Sequence, residues 1–471
     1  MLKIKTRDTF LFVLLSAALG AAAGAIVWGV LKIMAVGIGF IWDVLPAAAG
    51  AENGAAHTAY CFAVCGAGGV IIGLFQKKYG IWPETLETVM GTLKRTGTYP
   101  YDRLPMLITA VLLPLIFGGC VGPEAGLSGI IVGLCCLVGD KLKYKGRQAR
   151  ELAETGMAAT LSLVFGSPFY GIANNVEPSG YGNRAAAGAG RGEAAQAGDP
   201  EHDGTVHDGD AAGRNKAAAP NKSIRIAVYI AGVIGGFASL GVLSALFGSA
   251  MSIGRFAADM HLTWHNWIWF PAMAAAGILL GLLNALIGKA AVAAAEKISG
   301  HRVLSCVIAG LCLAAAGSLF PWAMFSGEEQ MSQLMGVWTK IPAAVLLLIP
   351  AIKILMVNLC ISFGWRGGNI FPVIFSGVSL GYALTLMTGA EPLFAVAVCT
   401  AAVCGYIMRK PVTVVAVLFL CFPLRAVIPL ALAAFLASLV PIPWAPHRQK
   451  KEKGGISNEK QKDNHKTHKN K

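Results

Sequence analysis

Apolar residues fill most of this chain in runs long enough to cross a bilayer, and the interruptions in those runs are rich in glycine and proline. Apolar stretches stand near 10–41, 57–76, 104–119, 122–139, 153–177, 223–250, 267–291, 302–323, 341–363, 371–388, 391–407 and 411–440. Roughly 20 apolar residues suffice for a transmembrane helix, so the pattern predicts an all-α, polytopic membrane protein. Several runs are short or broken. A broken helix at bilayer depth exposes backbone N–H and C=O groups, and it survives only inside protein or along a watery cavity. The breaks are therefore where function is expected.

The pattern also divides the chain. Residues 178–222 are rich in Gly, Ala, Asp, Arg and His without periodicity, the composition of a disordered linker. They separate a first half of the transmembrane domain (1–177) from a second (223–445), with a basic tail at 446–471. Each half carries a polar break followed by a Gly/Pro break: Tyr79-Gly-Ile-Trp-Pro83 then Gly119-Cys-Val-Gly-Pro123, and Phe325-Ser-Gly-Glu-Glu329 then Gly367-Gly-Asn-Ile-Phe-Pro372. Interrupted segments at corresponding places of two halves mark a site at an inverted-repeat interface.

Composition and charge narrow the class. The 471 residues are 55% hydrophobic and 14% charged, against about 25% charged in soluble domains. The net charge of +14 gathers in flanks such as Lys3, Lys5 and Arg7, the Lys141–Arg150 cluster and the tail. Read by the positive-inside rule, these flanks place both termini of a cell-membrane protein in the cytoplasm and give no reason to expect nucleic acid. The tail is too short for a folded regulatory domain. The eleven cysteines all lie in apolar segments without metal-ligand spacing, so neither disulfides nor a metal is expected. No Ser-His-Asp order, Walker loop or dinucleotide fingerprint is present, so neither a cofactor nor an enzyme is expected.

The two Gly/Pro breaks carry the chemistry. Pro123 suits the first turn of a helix and Glu124 suits its positive dipole end, so a helix starts near Pro123 and leaves the N–H groups of Cys120, Val121 and Gly122 for an anion. At the second break the N–H groups of Gly368, Asn369, Ile370 and Phe371 form a second helix end, with the charge of Arg366 nearby. Close helix crossing through small residues is the structural alternative for the first break, and interfacial snorkelling is the alternative for Arg366. Two helix ends aimed at one dehydrated ion suit conduction, which needs binding firm enough to admit an ion and weak enough to release it.

These residues resemble the CLC family of chloride channels and chloride/proton antiporters over roughly residues 55–445, excluding 178–222. Gly119–Pro123 is similar to the family's Gly-Lys/Arg-Glu-Gly-Pro motif, and Gly368-Asn-Ile-Phe-Pro372 to its Gly-x-Phe-x-Pro motif. Leu152–Ala159, Phe165–Ile172 and Leu319–Glu328 resemble other family stretches. The resemblance implies a homodimer with one pore per subunit and two inverted halves of tilted, broken helices. It places the anion-contacting serine at Tyr79, beside Gly80 and Ile81, and the proton-path glutamate at Glu177 or Pro178. The pore tyrosine aligns near Pro443 or Trp444. The gating glutamate falls on Val121, which cannot take a proton.

The leading expectation is therefore passive transport of a small inorganic anion, chloride first, without obligatory proton coupling. The alternatives are an antiporter using Glu124 or Glu177, a carrier of small organic anions with Arg366 as carboxylate partner, and a transport-inactive membrane scaffold. Glu124 has two readings, a displaced gate or a helix-end charge satisfied by backbone N–H groups. His57 and His261 stand at the edges of apolar runs, where an interfacial role fits them better than proton carriage.

Overall fold

The computed structural model describes residues 6–80, 99–141, 222–249, 260–419 and 421–443, with shorter stretches at 82–85, 88–89, 92, 162–163, 167–169 and 255–256. Helices dominate. Among the described residues the α-helices of eight residues or more are, in chain order, α1 (Thr6–Gly39), α2 (Gly54–Tyr79), α3 (Leu104–Ile116), α4 (Glu124–Lys141), α5 (Lys222–Phe247), α6 (Trp264–Glu296), α7 (Arg302–Leu319), α8 (Glu328–Val337), α9 (Ala343–Ser362), α10 (Ile370–Thr388), α11 (Pro392–Met408), α12 (Pro411–Leu418) and α13 (Val427–Leu439). Among the described residues, seven helices are long and apolar enough to cross a membrane. The protein is an all-α, multi-pass membrane protein.

Two apolar runs are shorter as helices than as sequence. The run at 411–440 splits into α12 and α13, because Pro423 lacks an N–H and disfavours helix in the residue before it. The run at 302–323 ends as α-helix at Leu319, and a 3₁₀ turn at Pro321–Ala323 follows. Most of the run at 153–177 and nearly all of the linker lie outside the described residues.

Small residues let the helix backbones meet. A side chain at Gly69 would lie 2.6 Å from the Cys306 carbonyl, and one at Gly73 the same distance from the Val303 Cα. The α2–α7 crossing is thus in backbone contact, the close packing that favours association in lipid. α1 meets α5 in the same way, with Gly20 against Gly232 and Gly235 against Ala17.

The halves repeat with one offset. α3 ends at a phenylalanine followed by Gly118 at φ 86°, and α9 ends at a phenylalanine followed by Gly364 at φ 109°. Only glycine takes this backbone readily. Six residues after each glycine the next helix begins, at Glu124 and at Ile370, which stand 246 positions apart. Gly122 and Gly368 share that offset, and they form an antiparallel bridge with each other. An antiparallel pair has a local two-fold axis. Because this pair consists of repeat equivalents, a local two-fold axis relates the two breaks; with that axis in the membrane plane the halves have inverted topology.

Candidate anion site

Each break is built to stop one helix and aim the next inward. After α3, the Gly119 N–H turns back to the Pro114 carbonyl at 2.7 Å, and the Val121 N–H reaches the Gly119 carbonyl at 2.8 Å. After α9, the Trp365 N–H returns to the Cys360 carbonyl at 2.8 Å, and its indole N–H donates to the Cys306 carbonyl on α7 at 2.8 Å. The Gly122 N–H then donates to Gly368 and the Gly368 N–H to Gly122, each at 2.7 Å. Val121 is fully buried, and a Cβ on Gly367 would stand 2.7 Å from the Val121 Cβ.

This pairing corrects one expectation. The N–H groups of Val121, Gly122 and Gly368 are not free for an anion, because the breaks use them to hold each other. The donors that remain at the junction include those of the first turn of α10. Asn369 caps α10 without any side-chain hydrogen bond. Its place is taken from the other half: Glu124 Oε1 accepts from the Ile370 N–H at 2.8 Å, and the N–H groups of Phe371 and of Glu124 itself also attract the carboxylate.

Glu124 is thus an N-terminal charge on its own helix and a trans cap on the opposite one. It is 2% exposed. Gly122 and Gly368 flank its carboxyl group so closely that a Cβ on either would collide with it. The carboxylate lies where two positive dipole ends converge, the position an anion would take. On another side of Ile370 a cavity of about 10 Å³ is lined by Asn369, Ile370, Val373, Cys404, Ile407 and Met408, enough for roughly one water-sized species.

The other residues singled out in the sequence sit as follows. Cys120 is buried, with its thiol 3.6 Å from the Lys353 carbonyl. Tyr79 ends α2 at 41% exposure, its ring against Phe75 and Lys78. From this end of α2 it is Gln76 that reaches the second break, donating to the Gly364 carbonyl. Gly80 takes φ 91°, and Ile81 lies outside the described residues, as do Glu177 and Trp444. Pro443 is exposed. Arg366 is half-buried, and its charge acts on Cys306. The His57 ring lies 3.3 Å from the Ala51 carbonyl, and His261 lines an open surface pocket with Arg425.

Sequence reasoning passed over two buried charges beside the junction. Lys353, in the middle of α9 and fully buried, donates to the carbonyls of Trp322 (3.0 Å), Met324 (2.7 Å) and Phe325 (2.9 Å) and to Gln330 Oε1 (3.1 Å). A lysine inside an apolar run was itself the available signal. Glu328, at the start of α8, is 3% exposed; it read as part of a polar break.

Two inverted halves whose broken helices meet end to end around a buried site define a membrane transport protein. The family model described as voltage gated chloride channel matches residues 68–180 and 219–441. The chain belongs to the CLC family. YfeO proteins of Escherichia fergusonii and Shigella flexneri, named for ion transport, are each 25% identical over 411 residues, covering 83% of this chain and 83% of theirs. The fold is similar to a CLC-type fluoride/proton antiporter, with TM-score 0.65, 16% identity, 94% of this chain and 98% of that one covered. It is also similar to a slow cyanobacterial chloride/proton antiporter, with TM-score 0.68, 15% identity and coverage of 90% and 93%.

Proposed function

We propose that this protein carries small inorganic anions, chloride first, through the junction of α4 and α10, and that the Glu124 carboxylate is its gate. The supporting observation is the 2.8 Å hydrogen bond from the Ile370 N–H to a carboxylate that belongs to the opposite half. An ionised Glu124 occupies the convergence of two helix ends, and an anion arriving there meets a like charge. The anion binds once the carboxylate is neutralised by a proton or swings away. Anion movement is then linked to protonation, although Val121 at the aligned gate position cannot titrate. This favours the proton-linked alternative over the uncoupled one. The two similar structures are a fluoride/proton and a chloride/proton antiporter, which agrees with this reading.

Proteoliposomes loaded with chloride, followed by a chloride electrode and a pH electrode together, test it. Proton movement in fixed ratio to chloride is the expected result. Chloride flux that ignores pH and survives Glu124→Gln unchanged would return the mechanism to an uncoupled conduit past Val121. Absence of chloride, nitrate and fluoride movement would overturn transport itself. The reading carries with it the homodimer implied by the family, checked by cross-linking in bilayers, and cytoplasmic termini, checked by protease access in oriented vesicles.

A further inference from the structure

α1 does not run on as a plain α-helix. It passes into a π-helical turn at Phe40–Val44, where the Leu45 N–H returns to the Phe40 carbonyl, five residues back. Turns of this kind hold one residue more than an α-helical turn and stand frequently at functional sites. This one aims Trp42 at the first break. The indole N–H donates at 3.0 Å to the carbonyl of Ile116, the last residue of α3. A Cβ on Gly118 would stand 2.8 Å from the Trp42 ring. The ring meets Phe325 edge-on, with centroids 5.4 Å apart, and Tyr60 in the same way at 6.3 Å.

The partner of Trp42 is firmly tied. Phe325 holds φ 58°, a backbone that a bulky residue rarely takes. Its N–H donates to the Gly118 carbonyl at 3.1 Å, and its carbonyl accepts from Lys353 at 2.9 Å. Lys353 also holds the carbonyls of Trp322 and Met324, at 3.0 and 2.7 Å. A Cβ on Gly327 would stand 2.8 Å from the Phe375 Cβ. The loop is thus fastened to the first break, to α9 and to α10. Trp42 has one hydrogen bond and its ring contacts, on a helix end whose Asp43, Val44 and Leu45 are exposed. Tyr60 steadies that end from α2 by donating to the Ile41 carbonyl.

The two rings lie between solvent and the junction. Trp42, Phe325 and Ser326 are half-buried, whereas Gly118, Gly119, Cys120 and Val121 behind them are buried. Gly122, next in the break, pairs with Gly368 and flanks the Glu124 carboxyl. This side of the break faces the start of α2, at the opposite membrane face from Lys77 and Lys78 in its last turn.

We infer that Trp42 and Phe325 form an aromatic gate on this approach to the anion site, Phe325 as its fixed side and Trp42 as its moving side. The inference rests on the junction of α4 and α10 being the anion site. Two apolar rings in contact leave no room for a hydrated anion, and a constriction of this kind closes by dewetting, without charge. Relaxation of the π-helical turn to a regular α-helix turns its residues by up to about 100° around the axis, which takes the Trp42 ring off Gly118 and Phe325. The aromatic gate and Glu124 must stand open together, so their open fractions multiply.

The test is chloride efflux from proteoliposomes that hold the full-length protein. Trp42→Ala removes the hydrogen bond and the ring contacts. Its flux is expected to rise about tenfold, the scale of one hydrogen bond and one aromatic contact in an equilibrium. Trp42→Cys is expected to rise likewise, and benzyl methanethiosulfonate, which hangs a new ring on residue 42, is expected to return its flux toward wild type, measured against wild type treated in the same way. A role in folding alone gives the opposite sign, a lower flux that the added ring does not change. Trp42→Ala flux at or below the wild-type level overturns the inference. If that variant does not fold, Tyr60→Phe decides, because it loses only the bond to the Ile41 carbonyl. A rise of about threefold is expected there, and wild-type flux overturns the inference. A wild-type protein that moves no chloride, nitrate or fluoride overturns the anion site and the aromatic gate with it, whereas wild-type flux that these variants leave unchanged overturns the aromatic gate alone.

Discussion

Glu124→Gln is the sharpest perturbation, because it keeps the shape of the side chain and removes only its charge. The carboxylate accepts a charge-assisted hydrogen bond from Ile370. Such bonds contribute about 1.5–3 kcal/mol, against about 0.5–1.5 for a neutral amide oxygen. Convergence of two helix dipoles adds about 1–2 kcal/mol for an anion in a partly buried geometry and almost nothing for an amide. The substitution thus weakens the hold of residue 124 on the helix ends by about 2–3 kcal/mol, on the order of 10²-fold in the fraction of time the site is open.

The assay is chloride efflux from proteoliposomes between acid and neutral pH. Wild-type flux is expected to rise as pH falls, because protonation neutralises the same group. The variant is expected to be flat across that range, near the wild-type acid limit, and on the order of 10²-fold faster than wild type at neutral pH. A Glu124→Gln flux that stays as pH-dependent as wild type, or falls below it at every pH, would refute the reasoning.

Gly368→Ala places a methyl group where the Glu124 carboxyl lies, so the carboxylate must leave the helix ends; neutral-pH flux rises as in Glu124→Gln, and a Gly368→Ala protein with wild-type pH dependence would contradict the cradle. Val121→Ala, at the aligned gate position, keeps the wild-type pH dependence while thermal unfolding in detergent shows a loss of about 2 kcal/mol for the deleted buried methyl groups. Lys353→Met leaves three carbonyls and Gln330 without their shared donor and destabilises by about 1–3 kcal/mol, visible as a lower thermal midpoint and as proteolysis within the 320–330 loop.

Much of this was legible in the sequence, for reasons that differ from residue to residue. Gly118 and Gly364 needed positive φ and were surrounded by apolar runs, so the breaks announced themselves. The positions of the helices followed from run lengths, except where Pro321 and Pro423 cut runs that hydropathy alone joins. The pairing of Gly122 with Gly368 was not legible, because backbone hydrogen bonds between glycines leave no mark on residue type. For the same reason nothing in residue type marks the N–H groups of Val121, Gly122 and Gly368 as already paired. Lys353 and Glu328 left a signal, a charge inside or beside an apolar run, but their partners are carbonyls and distant segments that no local pattern identifies.

If Glu124 is the gate, as proposed above, the inverted repeat explains why it serves where Val121 does not. The two halves enter the junction with the same backbone, yet they contribute opposite things. At the equivalent position one half offers a carboxylate and the other, through Ile370, an N–H. Symmetry delivers the first position of each helix to its counterpart, so a side chain at the start of α4 is aimed at the start of α10 without any further design. Val121 lies three residues earlier, packed against Gly367, where a longer side chain would first have to displace the opposite break. The two glycines that flank the Glu124 carboxyl leave room at the helix ends and nowhere before them. A carboxylate anchored on a rigid helix then needs only rotation of its own side chain to open the site.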